Sequence, residues 1–325
     1  MNLSYLKYTF KKYRIIYLLL TMIYLTGFSI LLAFVRNDNA YVIKNLIYIP
    51  AAILMFLAYV VPILDYRVYF EKDSSNVIFS LPDRRANIYR TTLYFHLVMN
   101  MLVFSFSYII GILILMMNGL DLVYGHLFAF MGYALLIFIG VYFLSAFITS
   151  KCTNLYDAIV INLIYMILPA IAIFTLYAAF NVKTLEWSKI SYIGAIQRAC
   201  RFFPQVAITD VNSTYYDWYI PLIMAGVGIL LHFIAIKDNV NFQPEYIGDI
   251  SHSYWGYRTL IPLILLAIFL NTNWSTGIIS FFVLAVSILV YVIYGLLNKK
   301  KKINFKDVAL IIILYFIANI LVIIF

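Results

Sequence analysis

Long apolar runs separated by short polar breaks dominate the chain. Read in order, they predict helical spans over 15–35, 42–64, 91–117, 127–149, 157–180, 219–236, 258–271, 276–296 and 307–325. The seventh run is short and carries Pro262 near its start, so it can pair with the eighth as a re-entrant hairpin, giving eight or nine crossings. Ahead of the first span, residues 1–14 interleave Leu3, Tyr5, Leu6, Tyr8 and Phe10 with Lys7, Lys11 and Lys12, the pattern of a helix lying in a membrane interface. The longest break with both charge signs is Asp65–Arg90. Within it, Asp73 or Ser74 can cap a short helix presenting Val77, Ile78 and Leu81 on one face, and Pro82 ends it. A half-apolar helix between two spans, with Arg84 and Arg85 beside it, predicts a docking surface over about 73–82. A second long break, 181–218, carries Ile190, Ile193, Ile196, Cys200 and Phe203 at helical spacing before Pro204, which predicts an amphipathic helix on the outer leaflet.

Composition makes the bilayer the main solvent. Of 325 residues, 65% are hydrophobic and 11% charged, and the mean hydropathy is +0.94. Soluble domains carry about 25% charged residues. The runs are too long and too evenly apolar for the alternating strands of an outer-membrane barrel. The fold class is therefore all-α, a polytopic helical membrane protein. The first apolar run is longer than a signal h-region and lacks a small-x-small cleavage site, so it is read as a retained span. Basic residues set the orientation. With the N-terminus in the cytoplasm, all but Arg36, Lys44, Lys183, Lys189, Arg198 and Arg201 face inward, including Lys299–Lys302 after the eighth span. The net charge of +9 follows from that bias and points to no nucleic-acid partner. Cys152 and Cys200 fall on opposite sides, which excludes a disulfide between them.

Ionisable groups inside apolar runs are costly and mark candidate sites. They are Lys44, His96, Asp157 and His232, with Asn100 and Asn162 as polar companions. His96 and Asn100, four residues apart, share a face and suit hydrogen bonds between helices, as does Asn162. Lys44 and Asp157 lie near span ends and can reach the interface. No Asp or Glu is read as buried mid-membrane, which counts against a proton-coupled carrier. Phosphate-loop, zinc-peptidase and nucleophile-elbow motifs are absent from the sequence, so no catalytic residue, metal or cofactor is assigned, and any ATP hydrolysis belongs to another chain.

The first loop resembles that of ABC-2-type transporter permeases. The resemblance rests on Glu71-Lys72-Asp73, Phe79-Ser80-Leu81-Pro82-Asp83-Arg84-Arg85 and Ile88-Tyr89, an acidic–polar run leading to Ser-Leu-Pro-x-x-Arg before the third span. The amphipathic N-terminus, the short second loop at 150–156 and the long outer segment agree with it, over residues 1–236. It implies a six-helix permease core that dimerises with itself or a sibling permease and binds two ABC ATPase subunits, which carry ATP and magnesium. The helix at 73–82 would couple to the ATPase through Glu71, Ser75, Val77, Ile78, Leu81, Arg84 and Arg85. Residues 237–325 add two or three helices beyond that core. Larger members with such extensions are similar to exporters of amphipathic peptides, so the substrate implied is an amphipathic peptide or lipid-like molecule, and the location implied is a bacterial cytoplasmic membrane. The alternatives are a secondary carrier without an ATPase and a membrane enzyme or non-transporting assembly factor.

Overall fold

The computed structural model describes residues 3–30, 32, 40–71, 85–118, 124–166, 218–240, 257–272, 281–289 and 305–324. Among them the secondary structure is helical apart from short turns, with no strand. Helix α1 (Leu3–Tyr24) continues into a π-helical turn (Leu25–Ile30); α2 is Ala40–Phe70, α3 Arg85–Met117, α4 Tyr124–Ser150 and α5 Leu155–Met166. Then come α6 (Tyr219–Val240), α7 (Tyr257–Thr272), α8 (281–289) and α9 (Phe305–Ile324). Five of the described helices are long and apolar enough to cross a membrane: Tyr5–Ile30, Tyr48–Phe70, Asn87–Met117, Tyr124–Ser150 and Tyr219–Lys237. By length and composition the chain reads as a helical membrane protein.

Two boundaries differ from the sequence reading, and both matter. Residues 3–14 are not a separate interfacial helix; they run unbroken into the first span. Their aromatic side chains explain the continuity, because Phe10 meets Phe95 edge-on and Tyr13 meets the His96 ring at 4.5 Å, both on α3. Likewise α2 does not stop at Leu64 but continues to Phe70. Tyr66, Tyr69 and Phe70 extend its buried face, and Tyr66 packs on Tyr89 of α3 at 5.1 Å. The proposed coupling helix at 73–82 and the outer segment 181–217 lie outside the described residues.

The contacts group the chain into two compact units, Met1–Ala158 with Pro204–Asp249, and Ile159–Phe203 with Ile250–Phe325. The sequence reading put a single boundary after residue 236. In the first unit α4 is apolar on every side, and a helix with no polar face belongs at the centre. Phe130, Ala134, Ile137, Phe138, Val141, Tyr142, Ala146 and Phe147 are all buried along it. It packs against α2 and α6, while α1 packs on α3. The α4–α6 crossing depends on glycine. A Cβ built on Gly140 would lie 2.6 Å from the Met224 carbonyl oxygen, and one on Gly228 would lie 2.7 Å from Gly140 Cα. Close approach of small residues is how helices associate where lipid removes the hydrophobic drive. The π-turn brings Phe28 to stack on Tyr108, with ring centroids 5.4 Å apart, in space left by Gly111.

The second unit has its own core. Phe269 of α7 and Ile311, Tyr315 and Ala318 of α9 are buried together, flanked by Leu266, Val283 and Ile288. Phe269 meets Tyr315 edge-on at 5.5 Å. The polar side chains of Ser287 and Asn319 bond back to the carbonyls of Val283 and Tyr315 four residues earlier, which satisfies them without a partner helix.

Candidate functional site

The site forms where α1, α2, α3 and α4 meet. Proline sets up its position on α2. Pro62 lies inside the helix and cannot donate to the carbonyl four residues before it. The neighbouring Tyr59 carbonyl accepts from Ser145 Oγ of α4 at 3.1 Å, which ties this turn of α2 to the central helix. One turn later Asp65 turns into the bundle with 6% of its side chain exposed. This overturns the reading that Asp65 opens a solvated loop; the acid is buried five residues before the end of α2. The helix does not end at the first charge, because the aromatic residues after it still have a surface to cover.

His96 of α3 is Asp65's partner. Its Nε2 lies 3.2 Å from Asp65 Oδ1, and its side chain is 4% exposed. The contact is close enough for an ion pair but points away from the hydrogen-bond direction. On the other side of the ring, the Tyr17 hydroxyl of α1 lies 2.6 Å from Nδ1. With a carboxylate facing Nε2, the tautomer that suits both neighbours carries its proton on Nε2 and accepts from Tyr17 at Nδ1. Tyr142 of α4 closes the cluster. Its hydroxyl donates to the Leu93 carbonyl at 3.1 Å and reaches Asp65 Oδ2 at 3.5 Å, the weaker of the two. Asn100, one turn after His96, donates its amide to the His96 carbonyl at 2.8 Å. Its Oδ1 is buried and accepts no hydrogen bond among the described residues. One acid, one imidazole, two phenols and one amide thus meet inside an apolar bundle.

A smaller polar contact lies between α3, α4 and α6. His232 Nε2 sits 2.7 Å from the Tyr94 hydroxyl, and its ring lies 4.5 Å from that of Phe143. Asp157 is buried at the first turn of α5, where its amide is capped by Asn154 Oδ1 at 2.7 Å. Asn162 is buried on α5, in the second unit. Of the residues read as coupling to an ATPase, Glu71 is exposed and paired with Arg67, Nε to Oε1, at 2.9 Å. A solvated pair of this kind contributes about 0.3–0.5 kcal/mol. Ser75, Val77, Ile78, Leu81 and Arg84 lie outside the described residues, as does the Arg85 side chain. The sequence reading missed Asp65, Tyr17 and Tyr142. The signal available was the spacing of Pro62, Asp65, Tyr66 and Tyr69, which keeps helical period past the first charge.

Cys152 follows α4 and is buried. Burial pushes its thiol pKa up, and the Asp157 carboxylate adds to the effect. At neutral pH it is therefore held as the unreactive thiol. In a Cys200→Ser background, iodoacetamide is expected to modify native Cys152 at least roughly tenfold more slowly than the denatured chain. Equal rates would show that the thiol is open to solvent.

No family model, curated protein or solved structure matches this chain.

Proposed function

We propose that this chain is the membrane-spanning permease subunit of an ATP-driven exporter of the ABC-2 type. The observation that carries the reading is the Glu71–Asp73 and Ser80-Leu81-Pro82-x-x-Arg85 sequence in the link between the end of α2 at Phe70 and the start of α3 at Arg85. The link is flanked by basic residues on the side read as cytoplasmic, where an ATPase would bind. Movement of that link would be felt first by α2 and α3. These are the two helices that the Asp65–His96 contact joins, about 7.5 Å and 16 Å along their axes from the ends of the link. The account assigns ATP and magnesium to the ATPase, a second permease to complete the pathway, and an amphipathic peptide or lipid-like molecule as cargo. A secondary carrier is the competing reading, and buried Asp65 is the observation in its favour.

Affinity purification of the full-length chain from its native membrane is the test. An ABC ATPase is expected to co-purify in stoichiometric amount. Leu81→Asp, or Arg84→Glu with Arg85→Glu, should lower its recovery about tenfold or more while the permease still inserts, since each removes apolar or charged contact from the docking face. Recovery unaffected by either change, or no ATPase at all, contradicts the assignment, and the second outcome leaves the carrier.

A further inference from the structure

The cluster around Asp65 holds more polar capacity than it uses. His96 Nε2 and Asn100 Oδ1 are buried without an aligned hydrogen-bond partner, as are the Tyr24 hydroxyl and Ser107 Oγ among the described residues. All four lie on α1 or α3. His96, Asn100 and Ser107 follow one face of α3 over about 16 Å, and Tyr17 and Tyr24 are two turns apart on α1, about 10 Å. Ser29 Oγ adds a contact between the same helices, to the Ser107 carbonyl at 3.4 Å. A polar group buried without a partner costs about 1–3 kcal/mol. Four along one seam call for a function or for water.

We propose that Asp65, His96, Tyr17 and Asn100 form a proton-binding site, in which a proton taken up at His96 Nδ1 reverses the Tyr17 hydroxyl from Nδ1 toward Asn100 Oδ1. Without that proton, Nε2 carries its hydrogen 3.2 Å from the Asp65 carboxylate but out of line with it, Nδ1 accepts from Tyr17, and the pair carries one negative charge. Uptake takes one proton from water, forms the Nδ1–H bond and makes the pair neutral overall. Nδ1 then has no lone pair left to accept with, so the Tyr17 oxygen accepts from Nδ1–H and its own proton needs another acceptor. Asn100 Oδ1, one turn after His96 on the same face of α3, is buried without a partner among the described residues and is the acceptor assigned to that proton. The step therefore exchanges a hydrogen bond joining α1 to the ring for one that also engages the next turn of α3.

The charged and titratable groups around the pair come from each helix packed on it. Lys12 and Tyr13 of α1 act on Asp65, Lys12 also acts on His96, and Tyr142 of α4 bonds Asp65. Lys12 is exposed, with its ammonium 5.1 Å from the Tyr13 ring centroid, and Tyr13 stacks edge-on against His96. Among the described residues no three His, Cys, Asp or Glu side chains gather, so the donor set suits a proton better than a divalent metal.

The test is nitrogen-15 NMR of the full chain, labelled at histidine and reconstituted in nanodiscs, titrated from about pH 2 to about pH 8. His96→Gln assigns the His96 signals by their loss. In the wild-type protein, His96 Nδ1 is expected to change from acceptor to protonated within this range. Asp65→Asn removes a charge within 4 Å, and its His96 midpoint should move by about one pH unit or more. Tyr17→Phe, which deletes only the hydroxyl, should also move it. A His96 ring that keeps one tautomer throughout, or whose midpoint moves less than about 0.3 units in both variants, overturns the proposal. Should Asp65→Asn not fold, the Tyr17→Phe result decides alone.

Discussion

Gly228→Leu is expected to separate α6 from α4 and to be among the most damaging single changes in the first unit. A side chain at 228 would enter the Gly140 backbone, whose Cα and carbonyl oxygen both lie 2.7 Å from the position of the new Cβ. The obstacle is backbone, so no rotamer change relieves it, and the helices must move apart. Overpacking in cores costs about 1–3 kcal/mol when side chains can adjust, and this site belongs at or above the top of that range. His232 lies one turn further along α6, so the 2.7 Å contact with Tyr94 should be lost as well. Gly226→Leu is the control, since nothing lies within 4 Å of a Cβ there. Thermal unfolding in detergent should show a clear drop for Gly228→Leu and little change for Gly226→Leu. Equal midpoints would mean that α4 and α6 do not cross at these glycines.

The existence of most helices was legible because apolar runs of membrane length have few alternative structures. The sixth predicted span, 219–236, and the helix Tyr219–Val240 nearly coincide. Ends were harder. A charge after an apolar run reads as the start of solvent, and Asp65 was placed there. Its burial depends on Tyr17 and His96, 48 and 31 positions away, and no local pattern reports partners at that distance. Residues 1–14 show the same difficulty, because the alternation that suits an interface also suits packing on Phe95 and His96. The glycine crossing was invisible for a related reason: Gly140 and Gly228 come from helices separated by the long break at 181–218, and neither glycine by itself marks a contact.

His96→Leu carries the other large expected effect, and a two-residue cycle gives it meaning. Removing the imidazole leaves buried Asp65 with only the 3.5 Å contact to Tyr142 among the described residues, and a buried polar group left short of partners costs about 1–3 kcal/mol. The Tyr17 hydroxyl loses its acceptor at the same time. Asp65→Leu alone should cost less, because a neutral imidazole can stay bonded to Tyr17. Combining the two replaces both polar groups with apolar ones of similar size, which is often close to neutral.

The measurement is therefore the unfolding free energy of the wild type, both single variants and the double variant, under one set of detergent conditions. If the two side chains form a coupled pair sealed among the helices, Asp65→Leu/His96→Leu should be more stable than His96→Leu alone. If the single losses add to within about 0.5 kcal/mol, the two groups do not interact, and the site is not as described.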